Sequence, residues 1–470
     1  MTTPARFFAL LTTCSALMFG LYAWGMPQQH VTDRKKNTPY KQSALDPSAS
    51  SRPSKNPEQE AQESKIWIRV LVDKAPQAET AWLFTSQAGF MVSGLSKTSD
   101  TPNTKKYIET SDIQVRVTIK DGQPHCKLGS QHLYGSPETP LEIIPFNDKC
   151  LLDKKIYPGS FMITCHDGMA YLTNTVDLET YVYCVVRWES VPSWPEEANK
   201  AFAIVVRSYV MAKFFKEQGK TREPWRPWII RATNKDQTYK GLPEKMFASL
   251  REVIDQTKGI VIVDTTTKKI AHDLMYDICC GGVVPAYKSG VNFNTAPHLK
   301  RTYPCTHCKP FKFYRWRLTY SKSDFAGLLS KNIGKRITRI DSVEVVKKDR
   351  SGTLCSLRIG TNKGPISLTG AQTYSAFPAL KSLVCNATIK NGLVEFSGSG
   401  CGHGMGLCQW GAYYMALEEL RRNKGRPCPR NNNFHKQIIR YYFPHIEFRR
   451  IRIVPEAPKL QDPEQPEANE

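Results

Sequence analysis

The residue in this sequence best placed to do chemistry is Glu189, in the stretch Trp188-Glu189-Ser190-Val191-Pro192-Ser193-Trp194. A carboxyl set among indoles and aliphatic side chains loses hydration, which raises its pKa and lets it hold a proton near neutrality. General-acid cleavage of a glycosidic bond requires such a group. Asp177 and Glu179 lie upstream, but no second carboxylate is visibly paired with it, so the usual two-carboxylate hydrolase is not assured. Taken alone, an acid of this kind is more often structural than catalytic.

Two further groups carry chemistry. The run Gly398-Ser399-Gly400-Cys401-Gly402-His403-Gly404-Met405-Gly406-Leu407-Cys408-Gln409-Trp410-Gly411-Ala412 lets backbone approach a ligand closely, with His403 and Gln409 as hydrogen-bond donors. Its likeness to a dinucleotide-binding glycine loop is superficial, because His403 occupies the last glycine position and no βαβ unit follows. The other group is Cys279-Cys280 with Cys305-x-x-Cys308, near Asp277 and His307. Zinc ligation and disulfides both fit this pattern, and neither makes the site catalytic, since a closed thiolate set leaves no open position.

Several elements must position these groups. Glu189 falls between an apolar strand and a helix. The helix opens with a Ser193/Glu196 capping box and Pro195 in its first turn. Ala198, Ala201, Phe202, Val205, Tyr209 and Ala212 recur at three-to-four spacing and make its buried face. Lys200 and Arg207 lie two turns apart on one line, either toward a ligand or as stems snorkelling over a core edge. Short strands separated by turns are expected over 65–72, 112–119, 141–145, 160–164 and 169–172. Beyond these come a helix over 248–257, strands over 259–263, 274–280 and 316–320, and a helix over 323–332. Strands resume over 340–347, 353–359 and 393–397, with a last helical run over 407–422. Grouped strands with few helices predict an α+β fold of mostly antiparallel sheets, the acid standing at the start of the Ala-rich helix.

Composition narrows the class. The chain has 470 residues, 40% of them hydrophobic, enough for a large core in two or three domains. A net charge of +22 favours a polyanionic or anionic-surface partner: nucleic acid, membrane headgroups or acidic wall polymer. The N-terminus chooses among them, because Arg6 precedes an almost uncharged run from Phe7 to Met26, long enough to span a bilayer. Residues 1–26 therefore read as a signal peptide or membrane anchor, and export argues against nucleic acid. Residues 27–64 are a Ser/Pro/Lys/Gln/Glu linker and 451–470 a similar tail, both expected to be disordered. The folded region is 65–450, with 65–220 and 390–450 forming the core and 221–389 a second lobe. Fourteen cysteines are many for an exported chain; removing Cys14 with a cleaved signal leaves an odd number, hence a free thiol or metal ligation.

In order along the chain, Leu178-Glu179-x-Tyr181, Val185-Val186-x-x-Glu189, Trp194-Pro195 and the Ala-rich helix ending in Arg207 resemble the stage II sporulation protein D family, as does the terminal glycine signature from Gly398 to Ala416. Gln237-Thr238-Tyr239-x-Gly241, Cys280-Gly281-Gly282 and Tyr441-Tyr442 fall in matching order. The resemblance implies an exported lytic transglycosylase that cuts the β-1,4 bond between N-acetylmuramic acid and N-acetylglucosamine of peptide-stripped peptidoglycan strands, leaving 1,6-anhydro ends. It makes Glu189 the catalytic acid and then base, which removes the need for a carboxylate partner. Lys200, Arg207, Tyr239, His403 and Gln409 are its implied substrate-binding residues. No cofactor is required, and a structural zinc on Cys280, Cys305 and Cys308 is possible. Phe202, Arg187-Trp188 and Asp277 depart from the family's usual residues. Implied partners are glycan strands, a peptidoglycan amidase and other division or remodelling proteins, and the membrane through the N-terminal segment. The implied location is periplasmic or on the wall side, and the rival reading is a non-catalytic glycan-binding activator of an amidase.

Overall fold

The computed structural model describes residues 65–77, 80–98, 101–217, 223–426 and 433–451. The apolar run 7–26, the linker 27–64 and the tail 452–470 lie outside these residues. No helix among the described residues is long and apolar enough to cross a membrane.

The first hundred described residues alternate apolar and polar in short runs, and they form one large, mostly antiparallel sheet. In Trp67–Pro76 and Gln114–Lys120 every second side chain is buried at first, the period a half-buried strand demands. The last long strand, Met169–Asp177, runs back along the first, with Trp67 opposite Asp177. It delivers the chain to helix α1, Leu178–Glu189.

That helix corrects the strand expected before Glu189. Its β-branched and aromatic residues read as strand because no polar face interrupts them, yet Tyr181, Val182, Tyr183, Cys184, Val185 and Val186 are all fully buried. A helix covered on all sides loses its 3.6-residue signature. The Asp177 carboxylate caps it, accepting the Glu179 and Thr180 N–H groups at 3.1 Å each. Glu189 thus ends α1 rather than starting the Ala-rich helix.

The Ala-rich helix α2, Glu196–Glu217, is central. Small residues let it pack against α1, α3 (Ala248–Gln256) and the strand Ile260–Asp264. Two helices from the C-terminal part of the chain also lie against it.

A second hydrophobic core gathers residues from Trp316 to Phe396, including Phe325, Leu357, Phe377 and Val394. It holds two three-stranded sheets with helices α4 (Lys322–Ile333) and α5 (Gly370–Ala376). This lobe is shorter than the 221–389 expected from sequence, because residues such as Ile230, Ile262, Leu299 and Cys305 join the first core.

The chain leaves the second lobe through the strand Leu393–Gly398. Leu407–Cys408 then pairs in parallel with Tyr276–Asp277, and α6 (Gln409–Arg422) and α7 (Phe434–Tyr442) close over α2. The architecture is α+β.

Candidate active site

Glu189 is 5% exposed and lines a cavity of about 470 Å³. Its Oε1 accepts the Thr238 N–H at 2.9 Å, and its own carbonyl accepts Gln409 Nε2 at 2.8 Å. Both ends of the residue are therefore fixed, the carboxyl by the loop after Arg231 and the backbone by the first residue of α6. Such double anchoring holds a functional side chain to one geometry.

The segment 236–239 acts as one unit. Gln237 accepts the buried Tyr181 hydroxyl at 2.9 Å, and Tyr239 donates to Asn174 Oδ1 at 2.6 Å. Tyr239 is buried against Tyr181, ring centroids 5.3 Å apart, and does not line the cavity. The motif's contribution is the Thr238 N–H held between these two anchors, so the substrate contact expected of Tyr239 is replaced by a packing role.

His403 lines the same cavity as Glu189. Its Nδ1 accepts the Met405 N–H at 3.1 Å. Burial, and then the Lys288 charge, push the imidazole down to about 4 against a hydrogen bond with the Tyr276 backbone. The ring is neutral at physiological pH. The glycine run makes this possible: Gly402 sits at φ +121°, and a Cβ there would lie 2.6 Å from that of Asp277. Asp277, buried behind it, accepts the Gly404 N–H at 2.6 Å.

Lys200 and Arg207 stand apart from this cavity. Lys200 pairs with Glu196 and, at 3.0 Å, with Glu197 on its own helix. Glu197 in turn accepts the His435 N–H and Nδ1 at 2.6 and 2.8 Å, which ties α2 to α7. Burial works against the Glu197 charge, yet the contacts from His435 and Lys200 hold its carboxyl down at about 2. Arg207 is 0% exposed and grips Glu179 through Nε at 3.0 Å and Nη2 at 2.7 Å. Glu179 also accepts the Gly259 N–H. This buried pair joins α1, α2 and the start of the 260–264 strand, and no sugar can reach it. Sequence spacing placed the two cations on one line correctly; the helix turns that line inward.

Cations and acids that sequence reasoning missed do line the cavity: Lys213 and Arg231, both paired with Asp236, and Lys288. No motif marks them, because they come from three separate stretches.

Behind the glycine run, the Sγ atoms of Cys280, Cys305, Cys308 and Cys408 all lie within 4.8 Å of one another, and all four residues are buried. Cys280 and Cys308 sulfurs are 3.8 Å apart. Tetrahedral zinc with ~2.3 Å Zn–S bonds needs sulfur–sulfur edges of about 3.8 Å. The donor set fits that ion, and Cys408 Sγ also accepts N–H bonds from Cys280 and Gly411 at 3.3 Å each. Cys408 is the ligand that sequence missed, a hundred positions from the Cys-x-x-Cys pair. Neither Asp277, turned to Gly404, nor His307, ringed against Tyr441, belongs to the cluster.

The fixed Glu189 carboxyl, in a cavity of sugar size beside a neutral imidazole, several cations and the carboxylates of Asp236, Asp273 and Asp277, can exchange a proton with a glycosidic oxygen. Residues 166–263, which carry α1, Glu189, α2 and Thr238, match the family described as Stage II sporulation protein (SpoIID). Residues 250–406 match a domain of unknown function, DUF8618. An uncharacterized protein of Brachyspira hyodysenteriae is 28% identical over 296 residues, covering 62% of this chain and 72% of that protein. The SpoIID domain indicates a cell-wall-related function.

Proposed function

We propose that this protein is an exported lytic transglycosylase of peptidoglycan. The observation that carries the reading is Glu189 itself: buried on the wall of the cavity it shares with His403, with Thr238 on its carboxyl and Gln409 on its carbonyl. As the acid, Glu189 gives its proton to the oxygen linking N-acetylmuramic acid to N-acetylglucosamine, and the C1–O bond breaks. As the carboxylate, it takes the proton of the muramoyl 6-hydroxyl while that oxygen closes on C1. Water is neither consumed nor released, and Glu189 ends the cycle protonated as it began. The neutral His403 is a positioning residue that shapes the wall beside the acid without competing for its proton.

Cys280, Cys305, Cys308 and Cys408 would hold a structural zinc, pinning the glycine run to the start of α6 and so to Gln409. A four-thiolate set has no open position and takes no part in the reaction. Peptidoglycan strands are the proposed partner, on the periplasmic or wall side of the membrane, with a peptidoglycan amidase and remodelling proteins supplying and using the same strands.

The test is digestion of peptide-stripped glycan strands followed by mass spectrometry of the sugar ends. Anhydromuramoyl ends from wild type, absent with Glu189→Gln, are expected. Intact binding without any such ends would leave a glycan-binding amidase activator instead.

A further inference from the structure

Lys288 follows a short turn, Pro285–Tyr287, and lines the cavity that holds Glu189 and His403. Its Nζ donates to the Thr353 hydroxyl at 2.8 Å, a neutral partner. Among the described residues no carboxylate lies within 4 Å of it. Two acids are near enough to act on its charge, Asp349 and Asp277, but both are engaged elsewhere. Asp349 accepts the Ser289, Ser351 and Thr353 N–H groups, and Asp277 accepts Gly404. The other cavity cations differ. Lys213 and Arg231 share Asp236, and Lys216 and Lys235 are exposed and hydrated at the rim. Lys288 is half-buried; a cation partly withdrawn from water is ordinarily paired, and one facing a cavity with no carboxylate partner is arranged for an anion that arrives with the ligand.

We infer that Lys288 binds a carboxylate on the sugar that enters this cavity and thereby selects carboxylate-bearing glycan. The inference rests on the glycan reading above, under which that carboxylate is the lactyl group of a muramoyl residue whose peptide has been removed. A strand still carrying its peptide offers a neutral amide there and leaves the ammonium without a counter-ion. The position is set by the second lobe: one loop supplies Thr353 to Lys288, Asp349 to the Ser289 N–H and the Arg350 guanidinium over the Tyr287 ring at 4.9 Å. Lys288 and Ser289 of the cavity wall, and Tyr287 beside them, are thus held by a domain that contributes no catalytic group, which gives that lobe a role in specificity.

The experiment uses the full chain carrying Glu189→Gln, so that binding is read without turnover. Peptide-stripped muramoyl tetrasaccharide is titrated beside the same tetrasaccharide with its lactyl carboxylates reduced to alcohols. About tenfold weaker binding of the reduced sugar is expected, the size of one hydrogen-bonded charge contact. Adding Lys288→Met should bring the two affinities within about twofold, and Lys288→Arg should restore part of the difference. Equal affinities before Lys288 is changed would overturn the inference whether or not the variants fold. An undiminished preference in a folded Lys288→Met chain would overturn it too. If this preference holds while wild type yields no anhydro ends, the transglycosylase reading fails and the carboxylate site stands.

Discussion

The helical interior around Arg207 takes a cation wholly out of water, the cavity wall around Lys288 takes one partly out, and they finish the task differently. At Arg207 the protein supplies the answer itself: a bidentate Glu179, the Ile260 carbonyl and the Thr257 hydroxyl surround the guanidinium. At Lys288 the protein supplies one hydroxyl and stops. The fork of an arginine suits a permanent pair that knits elements together, whereas a point-like ammonium suits a partner that comes and goes. Burial of a charge therefore does not by itself mark function; the mark is burial beside a cavity with the counter-charge left out.

Removing one member of a satisfied buried pair strands the other, so Arg207→Met should cost about 3–5 kcal/mol in denaturant unfolding. Replacing both, as Glu179→Leu with Arg207→Met, should recover most of that loss. A stable Arg207→Met protein with impaired glycan binding would break the comparison and return Arg207 to the ligand. Glu189→Gln should lower formation of anhydro ends by about 10²–10⁴-fold, because an amide cannot cycle a proton. Its unfolding curve should barely move, since the amide oxygen still accepts the Thr238 N–H.

Cys408→Ser should reduce bound metal from about one zinc per chain, read by elemental analysis, and lower the melting temperature with it. Metal-free wild-type protein with bridged cysteines would remove the zinc proposal. Acid should act in two windows. The folded His403 value of about 4 lies below the ordinary 6.5, so the unfolded chain binds that proton first and stability falls as pH drops from 6.5 to 4. Glu197, held at about 2 against an ordinary 4.5, contributes stability that is present above 4.5 and lost as pH falls toward 2. Unfolding of His403→Gln should lessen the upper slope, to which the buried His298 and the half-buried His307 also contribute, and keep the lower one. The smallest effect sharpens the comparison most: Lys288→Met should change unfolding free energy by no more than about 1 kcal/mol, because no partner is stranded.

The sequence made much of this legible, for reasons that differ by region. Alternation located the strands of the large sheet, and the capped helix now seen at Lys322–Ile333 was visible because its polar and apolar faces differ. Glu189 was legible from its indole and aliphatic neighbours and from the order of motifs around it. Helix α1 was misread because complete burial erases periodicity. Arg207 was misassigned because spacing says which residues share a face and is silent on where that face points. Cys408 and Lys288 were missed because only the folded chain brings them to their neighbours.

Gln409 reaches across 220 positions of chain to close on Glu189. A polypeptide made from its N-terminus thus has its acid long before it has the residue that seats it. The seat of Glu189 is complete only when nearly the whole molecule has been made and folded, so under the proposed activity a truncated product would cut no glycan.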